Sequence, residues 1–192
     1  MRKTMETRWI VLCGMFAALT AAGAFIQIPV PFMDYFTLQF LFVLLAGMLL
    51  GPRYGSISMG IYVLVGLAGV PVFAAGGGIQ YMLRPSFGYL IGFIAGAWIT
   101  GILCGRQRRE GLRAYLPAAF AGMAVTYLIG FSYKYMILNT YLGQKTPFAA
   151  VILSAFPLDL PGDALLCVAA SAFAERVKAY LGTDLLGEGH RV

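Results

Sequence analysis

The sequence is poor in charge and in the residues that most often carry out chemistry. Only 11% of its 192 residues are charged, less than half of the roughly 25% found in a soluble domain, and 60% are hydrophobic. The single histidine, His190, lies in the charged tail, which removes the usual histidine-based metal and acid–base arrangements. The sequence contains no G-x-x-x-x-G-K-[ST], H-E-x-x-H or G-x-S-x-G motif. We therefore expect neither an enzyme nor an ATPase.

Cysteine is also scarce. Cys13, Cys104 and Cys167 lie far apart, their number is odd, and none belongs to a C-x-x-C pair. This pattern supports neither a disulfide framework nor a zinc site. We expect each cysteine to be a small apolar packing residue.

The sequence contains several long apolar stretches, and its mean hydropathy is +0.79. They reach or approach the ~20 residues needed to cross a bilayer, which predicts an integral membrane protein. The first stretch follows a basic segment, as in a signal peptide, but it is long enough to span and no convincing cleavage site ends it. We predict an all-α fold in a single membrane domain, residues 1–192, with six transmembrane helices. Their approximate bounds are 9–28, 36–50, 54–70, 86–104, 115–138 and 160–174.

The basic residues predict the orientation of this fold. With six spans and both termini inside, Arg84, Lys134 and Lys145 fall outside, and the other 11 of the 14 basic residues face the cytoplasm. This asymmetry agrees with the positive-inside rule. The formal net charge of +6 does not indicate nucleic-acid binding, because the basic residues lie between apolar segments and not in an aromatic-interleaved patch. We predict a multi-pass membrane protein with cytoplasmic N- and C-termini.

The stretch from 66 to 89, between the third and fourth predicted helices, has the composition of a ligand lid on the outer side. Its three consecutive glycines let the backbone turn and approach a ligand closely, and its polar side chains offer donors beside aromatic surface. These residues are Gly76, Gly77, Gly78, Gln80, Tyr81 and Arg84. Pro85 disfavours a helical backbone at Arg84 and is suited to open the next helix. The alternative is a glycine-rich turn that binds no ligand.

Other polar groups are predicted on the same outer side, namely Gln39, Lys134, Asp159 and Asp163. Ionisable groups at membrane depth are costly and usually face a cavity or one another. Asp163 also has a structural explanation, since an acid in the first turn stabilises its helix by ~0.3–1 kcal/mol. Pro161 fits that same first turn.

Small residues recur every fourth position on two predicted helices. Gly88, Gly92 and Gly96 form one such stripe, and the pairs Ala17–Ala21 and Ala18–Ala22 form another on the first helix. Such faces let membrane helices approach closely. The alanine face is suited equally to another chain and to packing inside the protein, and composition leaves both open.

Five runs of the sequence resemble the BioY family. They are AALTAAGAFIQIPVP (17–31), FTLQFLFVLLAGMLLGPRYG (36–55), GLAGVPVFAAGGG (66–78), PSFGYLIGF (85–93) and LPGD (160–163). They cover nearly the whole chain in order, and FTLQ together with the glycine-rich run is specific. BioY proteins are the biotin-binding substrate (S) components of energy-coupling factor (ECF) vitamin importers.

The resemblance implies a six-helix protein of the bacterial cytoplasmic membrane that captures biotin outside and releases it inside. Its partners would be a transmembrane scaffold subunit, EcfT, and two cytoplasmic ATPase subunits. Those subunits would use the ATP, and this chain would carry no cofactor and bind no nucleic acid. Family members contact the scaffold through small residues of the first helix, which favours Ala17, Ala18, Ala21 and Ala22 as partner contacts.

One position departs from the family pattern. Many members read PGD-x-x-K, and here Asp163 matches while Leu166 stands at the lysine position. The biotin carboxylate then needs another cation, because an unpaired buried charge is costly. Arg84 and Lys134 are the candidates, and Arg84, beside the lid, is the better one. Asp163 would accept hydrogen bonds from the ureido N–H groups. The full predicted ligand set is Gln39, Gly76, Gly77, Gly78, Gln80, Tyr81, Arg84, Phe87, Tyr89, Lys134 and Asp163.

Three other functions remain open. The Leu166 departure is compatible with an S component for another small vitamin or acid, such as lipoate or thiamine. Asp163 is compatible with a stand-alone carrier coupled to protons or sodium ions. A small intramembrane enzyme is the third, and the missing catalytic motifs count against it.

Overall fold

The computed structural model describes residues 2–29, 35–106, 111–156 and 158–186. Its helices follow the apolar stretches of the sequence. They are α1 (Arg2–Phe25), α2 (Gln39–Leu67), α3 (Phe87–Arg106), α4 (Leu112–Met136), α5 (Phe148–Ser154) and α6 (Asp159–Leu186). A 3-10 helix (Ile79–Leu83) precedes α3, and a π-helix (Ile137–Tyr141) continues α4. The predicted helical architecture is confirmed for this part of the chain. The tail that carries His190 lies outside the described residues.

A small β-ribbon, which the sequence analysis missed, joins α1 to α2. Strand β1 (Gln27–Pro29) pairs antiparallel with β2 (Tyr35–Thr37), in a register that sets Ile28 opposite Phe36. The amide of Leu38, just after β2, donates to the carbonyl oxygens of Gly23 and Ile26 at 3.2 Å each. These bonds hold the start of α2 against the end of α1.

Four helices of the described chain are long and apolar enough to cross a membrane, at Thr7–Phe25, Gln39–Leu67, Phe87–Gly105 and Leu112–Tyr141. A fifth candidate is the pair Phe148–Ser154 and Asp159–Tyr180, bent by 53° at the break between them. The difference from the six predicted spans lies in α2, which contains two of them.

α2 is broken at Gly51, at the Gly51-Pro52 step between the second and third predicted spans. Gly51 has φ 78° and ψ −178°, a backbone that glycine adopts readily and that interrupts the helix. The Nε2 atom of Gln39 lies 2.5 Å from the hydroxyl of Tyr62, although 23 residues of straight helix would separate them by about 35 Å. The two limbs, 39–50 and 52–67, therefore lie side by side as a hairpin. Each limb is shorter than the ~20 residues of an ordinary span, so the count of six crossings stays a prediction.

The predicted glycine stripe of α3 packs against α4. A Cβ atom added at Gly92 would lie 2.7 Å from the carbonyl oxygen of Thr126, and one at Gly96 would overlap the Thr126 hydroxyl. Thr126 in turn donates a hydrogen bond of 3.1 Å to the Gly92 carbonyl. Gly88 likewise leaves no room for a side chain beside Tyr133. The prediction of close helix packing along this stripe is confirmed.

All three cysteines are buried and free. Cys13 and Cys167 are 3% and 0% exposed, which confirms that they act as packing residues. The thiol of Cys13 also donates a long hydrogen bond of 3.4 Å to the Tyr54 carbonyl, which ties α1 to the second limb of α2.

Candidate ligand-binding site

A cavity of about 110 Å³ lies where α2, α3 and α6 begin and α4 ends. A single water molecule needs only roughly 10–15 Å³ of such space, so the cavity has room for a small molecule. Its wall consists of Phe36, Thr37, Gln39, Phe40, Ala74, Ala75, Tyr81, Ser86, Tyr89, Leu90, Phe93, Thr126, Tyr127, Lys134, Asp159 and Asp163. Most of this wall is apolar or aromatic, with a few polar groups among it. That composition is typical of a small-molecule site.

The segment between α2 and α3 closes one side of the cavity through Ala74 and Ala75. It is anchored by Phe73, whose buried ring packs against Tyr62 and Tyr81 at centroid distances of 5.5 and 4.6 Å. Phe73 fits because Gly66 has no side chain, and a Cβ atom there would overlap the Phe73 ring. The predicted lid is therefore a packed element of the cavity wall.

The glycines of the lid shape its turns. The amides of Phe73 and Gly76 each donate to the carbonyl of the other, at 2.9 and 3.1 Å, and the Gly78 amide donates to the Gly66 carbonyl at 2.8 Å. Gly76 and Gly78 have φ angles of 110° and 99°, which side chains rarely allow. Gly77 has no room for a side chain beside the Val70 carbonyl. The predicted turning role of these glycines is confirmed, and their contact with a ligand stays a prediction.

A chain of hydrogen bonds connects the floor of the cavity to the lid. Thr37 donates from Oγ1 to Oε1 of Gln39 at 2.9 Å, and Gln39 donates from Nε2 to the Tyr62 hydroxyl at 2.5 Å. The Tyr62 hydroxyl donates to the Val72 carbonyl at 3.0 Å. An amide nitrogen carries two hydrogens, so Gln39 keeps a second donor for a ligand. A separate tie holds the far end of the lid, where the Tyr133 hydroxyl donates to the Met82 carbonyl.

The acidic end of the cavity is built by α4 and α6. The hydroxyl of Tyr127 donates to Oδ2 of Asp163 at 2.7 Å, which leaves Oδ1 as a further acceptor. The Tyr127 ring packs edge-on against Tyr89 and Phe131, at centroid distances of 5.6 and 5.3 Å. This packing fixes the direction of the hydroxyl. Helix α6 begins at Asp159, so Pro161 lies in its first turn as predicted. The prediction that Asp163 is the acid of that first turn is wrong, because the helix begins earlier than expected and Asp159 takes this position.

The LPGD glycine positions an aromatic wall residue of the cavity. A Cβ atom added at Gly162 would lie 2.5 Å from Cε2 of Phe36, the cavity residue supplied by β2. Gly162 therefore lets the β-ribbon close over the start of α6.

Lys134 lies in the cavity wall. Its ammonium group donates to Oγ of Ser154 at 3.1 Å, and Ser154 donates to the Val151 carbonyl at 2.6 Å. Arg84 is exposed and lies outside the residues that line the cavity, with its guanidinium carbon 5.4 Å from the centre of the Tyr81 ring. Its backbone is extended, as Pro85 predicts. The sequence favoured Arg84 over Lys134 as the cation for the ligand carboxylate. Of these two residues, Lys134 is the one that lines this cavity.

The structure brings together five of the predicted ligand residues, Gln39, Tyr81, Tyr89, Lys134 and Asp163. The others, Gly76, Gly77, Gly78, Gln80, Arg84 and Phe87, are not among the described wall residues. Gln80 is exposed, and Phe87 is buried in the core with its ring 5.8 Å from that of Tyr133. Leu166 is half-buried and packs on the core.

Sequence reasoning missed several wall residues: Phe36, Thr37, Phe40, Ala74, Ala75, Ser86, Leu90, Phe93, Thr126 and Tyr127. A usable signal existed for Tyr127, because it lies seven residues before Lys134 and thus two helical turns away on the same face. Ser86 gave none. Its Oγ atom is buried and makes no hydrogen bond within the described chain, so it remains available to a ligand.

Several membrane-length helices around a cavity with apolar walls and a few polar groups define a multi-pass membrane protein with a small-molecule site. The BioY family model matches residues 1–183, and the chain belongs to the BioY family.

Two relatives illustrate the similarity. "Probable biotin transporter BioY" of Lysinibacillus sphaericus is 42% identical over 177 residues, which cover 92% of this chain and 90% of that protein. "Biotin transporter BioY" of Thermotoga maritima is 40% identical over 139 residues, 70% of this chain and 76% of that protein. The crystal structure of the S-component for biotin from an ECF-type ABC transporter has the same fold, with a TM-score of 0.84, 23% identity and full coverage of both chains.

Proposed function

We propose that this chain is the biotin-binding S component of an ECF-type importer and that biotin binds, chemically unchanged, in the cavity lined by Asp163 and Lys134. One observation carries the proposal: a member of the BioY family has two carboxylates, Asp159 and Asp163, and one ammonium group, Lys134, in the wall of a single, otherwise mostly apolar cavity. Biotin has matching parts, namely a ureido ring with two N–H donors, an apolar thioether ring and a carboxylate.

The ureido ring belongs at the acidic end. Oδ1 of Asp163 is suited to accept a ureido N–H in a charge-assisted hydrogen bond, because Oδ2 already accepts from Tyr127. Ser86 and the second Nε2 hydrogen of Gln39 are suited to the ureido carbonyl. The rings of Phe36, Phe40 and Phe93, with Tyr81 and Tyr89, cover the apolar parts of the ligand.

The carboxylate belongs at Lys134. A carboxylate at membrane depth is costly unless a cation and further donors meet it. Ser154, at the end of α5, accepts a hydrogen bond from the ammonium group of Lys134 and holds that group at the cavity wall. Lys134 on α4 would then take the place of the family lysine on α6, where this chain has Leu166.

The orientation follows from the basic residues. Arg8, Arg53, Arg106 and Arg113 stand at helix ends or at the Gly51 break, all remote in sequence from the cavity ends of their helices. The positive-inside rule assigns this end to the cytoplasm. The chain then crosses the membrane six times, if each limb of α2 counts as one crossing. Both termini lie inside, and the cavity and lid face outward.

Energy comes from partner subunits. We assign the contact with the scaffold subunit EcfT to the exposed half of the predicted alanine face. Ala18 and Ala22 are exposed, whereas Ala17 is buried and Ala21 is half-buried. Two ATPase subunits on the cytoplasmic side supply ATP hydrolysis. Stable helix contacts in membranes use such small residues.

The test compares biotin with biotinamide, which lacks only the carboxylate charge, by calorimetric titration of the purified protein in detergent. Lys134→Met should weaken biotin binding by about 10- to 150-fold, the ~1.5–3 kcal/mol of a hydrogen bond to a charged group. It should weaken biotinamide binding far less. The matched control, Arg84→Met, should leave both affinities unchanged.

Two outcomes would contradict parts of the proposal. A selective loss of biotin affinity in Arg84→Met would move the carboxylate partner to the lid and keep biotin as the ligand. If the wild-type protein does not bind biotin but binds lipoate or thiamine, biotin is not its ligand. The change from the family lysine to Leu166 would then account for the altered specificity.

A further inference from the structure

The ligand cavity has more acids than bases in its wall. Among the described wall residues, Asp159 and Asp163 are carboxylates and Lys134 is the one cation. When all three groups are ionised, the wall carries an excess of one negative charge. The proposed function brings in the carboxylate of biotin, and that carboxylate would raise the excess to two.

The two aspartates are close neighbours. They are four residues apart on α6 and lie on one face in successive turns, where Cβ atoms are about 5–6 Å apart. Both are half-buried. Each can be ionised while Lys134 and solvent balance the charge. Without that balance, like charges at this distance favour a single proton held by the pair.

The other ionisable groups of the described chain near the pair supply little positive charge. They are Tyr127 and Lys134 on α4, Tyr89 on α3, Tyr81 in the 3-10 helix, Cys167 one turn further along α6, and Arg84 beside the lid. Tyr127 donates its hydrogen bond to Asp163 and remains neutral in doing so. Arg84 is exposed and lies outside the described cavity wall. Balance of the pair therefore depends on Lys134 and on solvent.

Biotin changes this balance in two ways. Its carboxylate, which the proposed function places at Lys134, competes with the aspartates for the one ammonium group of the described wall. Its rings fill the space through which water reaches Asp159 and Asp163. Charges that are cut off from water are costly unless a partner of opposite charge meets them.

We infer that the Asp159–Asp163 pair takes up one proton when biotin binds, so that capture of biotin is linked to the pH on the side where the cavity opens. The inference rests on the proposed function. The proton comes from solvent, forms one O–H bond on a carboxylate, and returns to solvent when biotin leaves. The complex then holds one proton more than the free protein. Biotin affinity should therefore fall as the pH rises, by up to about tenfold per pH unit.

The experiment is a calorimetric titration of the detergent-purified protein with biotin at about pH 8, where a free carboxyl group of pKa ~4.3 is ionised. It is carried out in two buffers, phosphate and Tris, which differ in their enthalpy of ionisation. The difference between the two observed enthalpies gives the number of protons taken up for each biotin bound. We expect about one proton for the wild-type protein.

Two variants assign this proton to the pair. Asp159→Asn removes one of the two charges, so the uptake should fall to near zero and the affinity should lose its dependence on pH. Leu166→Lys places an ammonium group one turn from Asp163 on α6, where it supports both ionised carboxylates, and it should also abolish the uptake.

The controls also lie on α6. Leu166→Met changes the same position without adding charge, and Glu175→Gln removes an exposed acid near the other end of the helix. Both should keep the proton uptake of the wild-type protein.

The possible failures are distinguishable. Biotin that binds to the wild-type protein without proton exchange would overturn the inference and leave the proposed function intact, whereas a protein that does not bind biotin would contradict the proposed function itself. Uptake that persists in Leu166→Lys, or in an Asp159→Asn variant that still binds biotin, would place the proton on another group such as Lys134. The assignment to the pair would then be wrong.

Discussion

Replacing Gly162 with alanine should weaken biotin binding more than it weakens the fold. The added Cβ atom would lie 2.5 Å from Cε2 and 2.6 Å from Cζ of Phe36. Carbon atoms in contact are ~3.5–4.0 Å apart, so the Phe36 ring has to move by about 1 Å. Phe36 lines the ligand cavity, and any such movement changes the shape of its wall.

The expected magnitude follows from two opposing terms. Overpacking of a fitted site costs ~1–3 kcal/mol, which corresponds to a loss of about 5- to 150-fold in affinity when the strain falls on the complex. In the unliganded protein the ring is half-buried and borders the cavity, so it can shift toward that space. Replacing a helical glycine by alanine also stabilises the helix by roughly 0.5–1 kcal/mol. The unfolding temperature should therefore change little while the affinity falls.

Gly60→Ala is the matched control. Gly60 lies in the second limb of α2, and an added Cβ atom meets nothing within 4 Å. This variant should gain the same helix stabilisation and keep wild-type biotin affinity. Calorimetric titration and thermal unfolding of both variants in detergent provide the two readouts. Wild-type affinity in Gly162→Ala, or an equal loss in Gly60→Ala, would refute the role assigned to the Phe36 contact.

Two further predictions concern Ser86 and the first helix. Ser86→Ala should lower biotin affinity by about 2- to 12-fold, the ~0.5–1.5 kcal/mol of a neutral hydrogen bond, without lowering the unfolding temperature of the unliganded protein. Its Oγ atom makes no hydrogen bond in the described chain, and an unchanged affinity would exclude it from the site. Ala22→Leu should keep biotin binding and prevent co-purification with EcfT, whereas Ala17→Leu should lower the unfolding temperature because Ala17 is only 8% exposed. The reverse pattern would put the partner contact on the inner face.

Features set by local backbone chemistry were predictable from the sequence. The interruption at Gly51-Pro52, the extended backbone at Arg84 before Pro85, and Pro161 in the first turn of α6 all follow from constraints on glycine and proline. The β-ribbon was missed because each strand has three residues and its pairing joins segments on either side of a loop. Such short strands carry too few residues for an alternating pattern.

Side-chain direction limited the prediction of the site. Arg84 looked favourable because it adjoins the lid, but a residue in an extended loop has no helical period that fixes where its side chain points. Lys134 has such a period, since Tyr127 and Phe131 precede it on one face of α4. The alanine pairs of α1 pose the same difficulty, because neighbouring positions such as Ala17 and Ala18 differ by about 100° around the helix.

The hairpin in α2 has a mechanical consequence. One tip carries Gln39 in the cavity wall, and the other carries Gly66, which lies against the ring of Phe73 that anchors the lid. The hydrogen bond between Gln39 and Tyr62 joins the two limbs, so we expect Gln39 and the lid anchor at Gly66 to move together. Entry of a ligand then depends on motion of the lid's own turns or of the α3–α4 side. Gly51, at the break between the limbs and at the end of the hairpin away from the cavity, thereby sets the spacing of the two limbs.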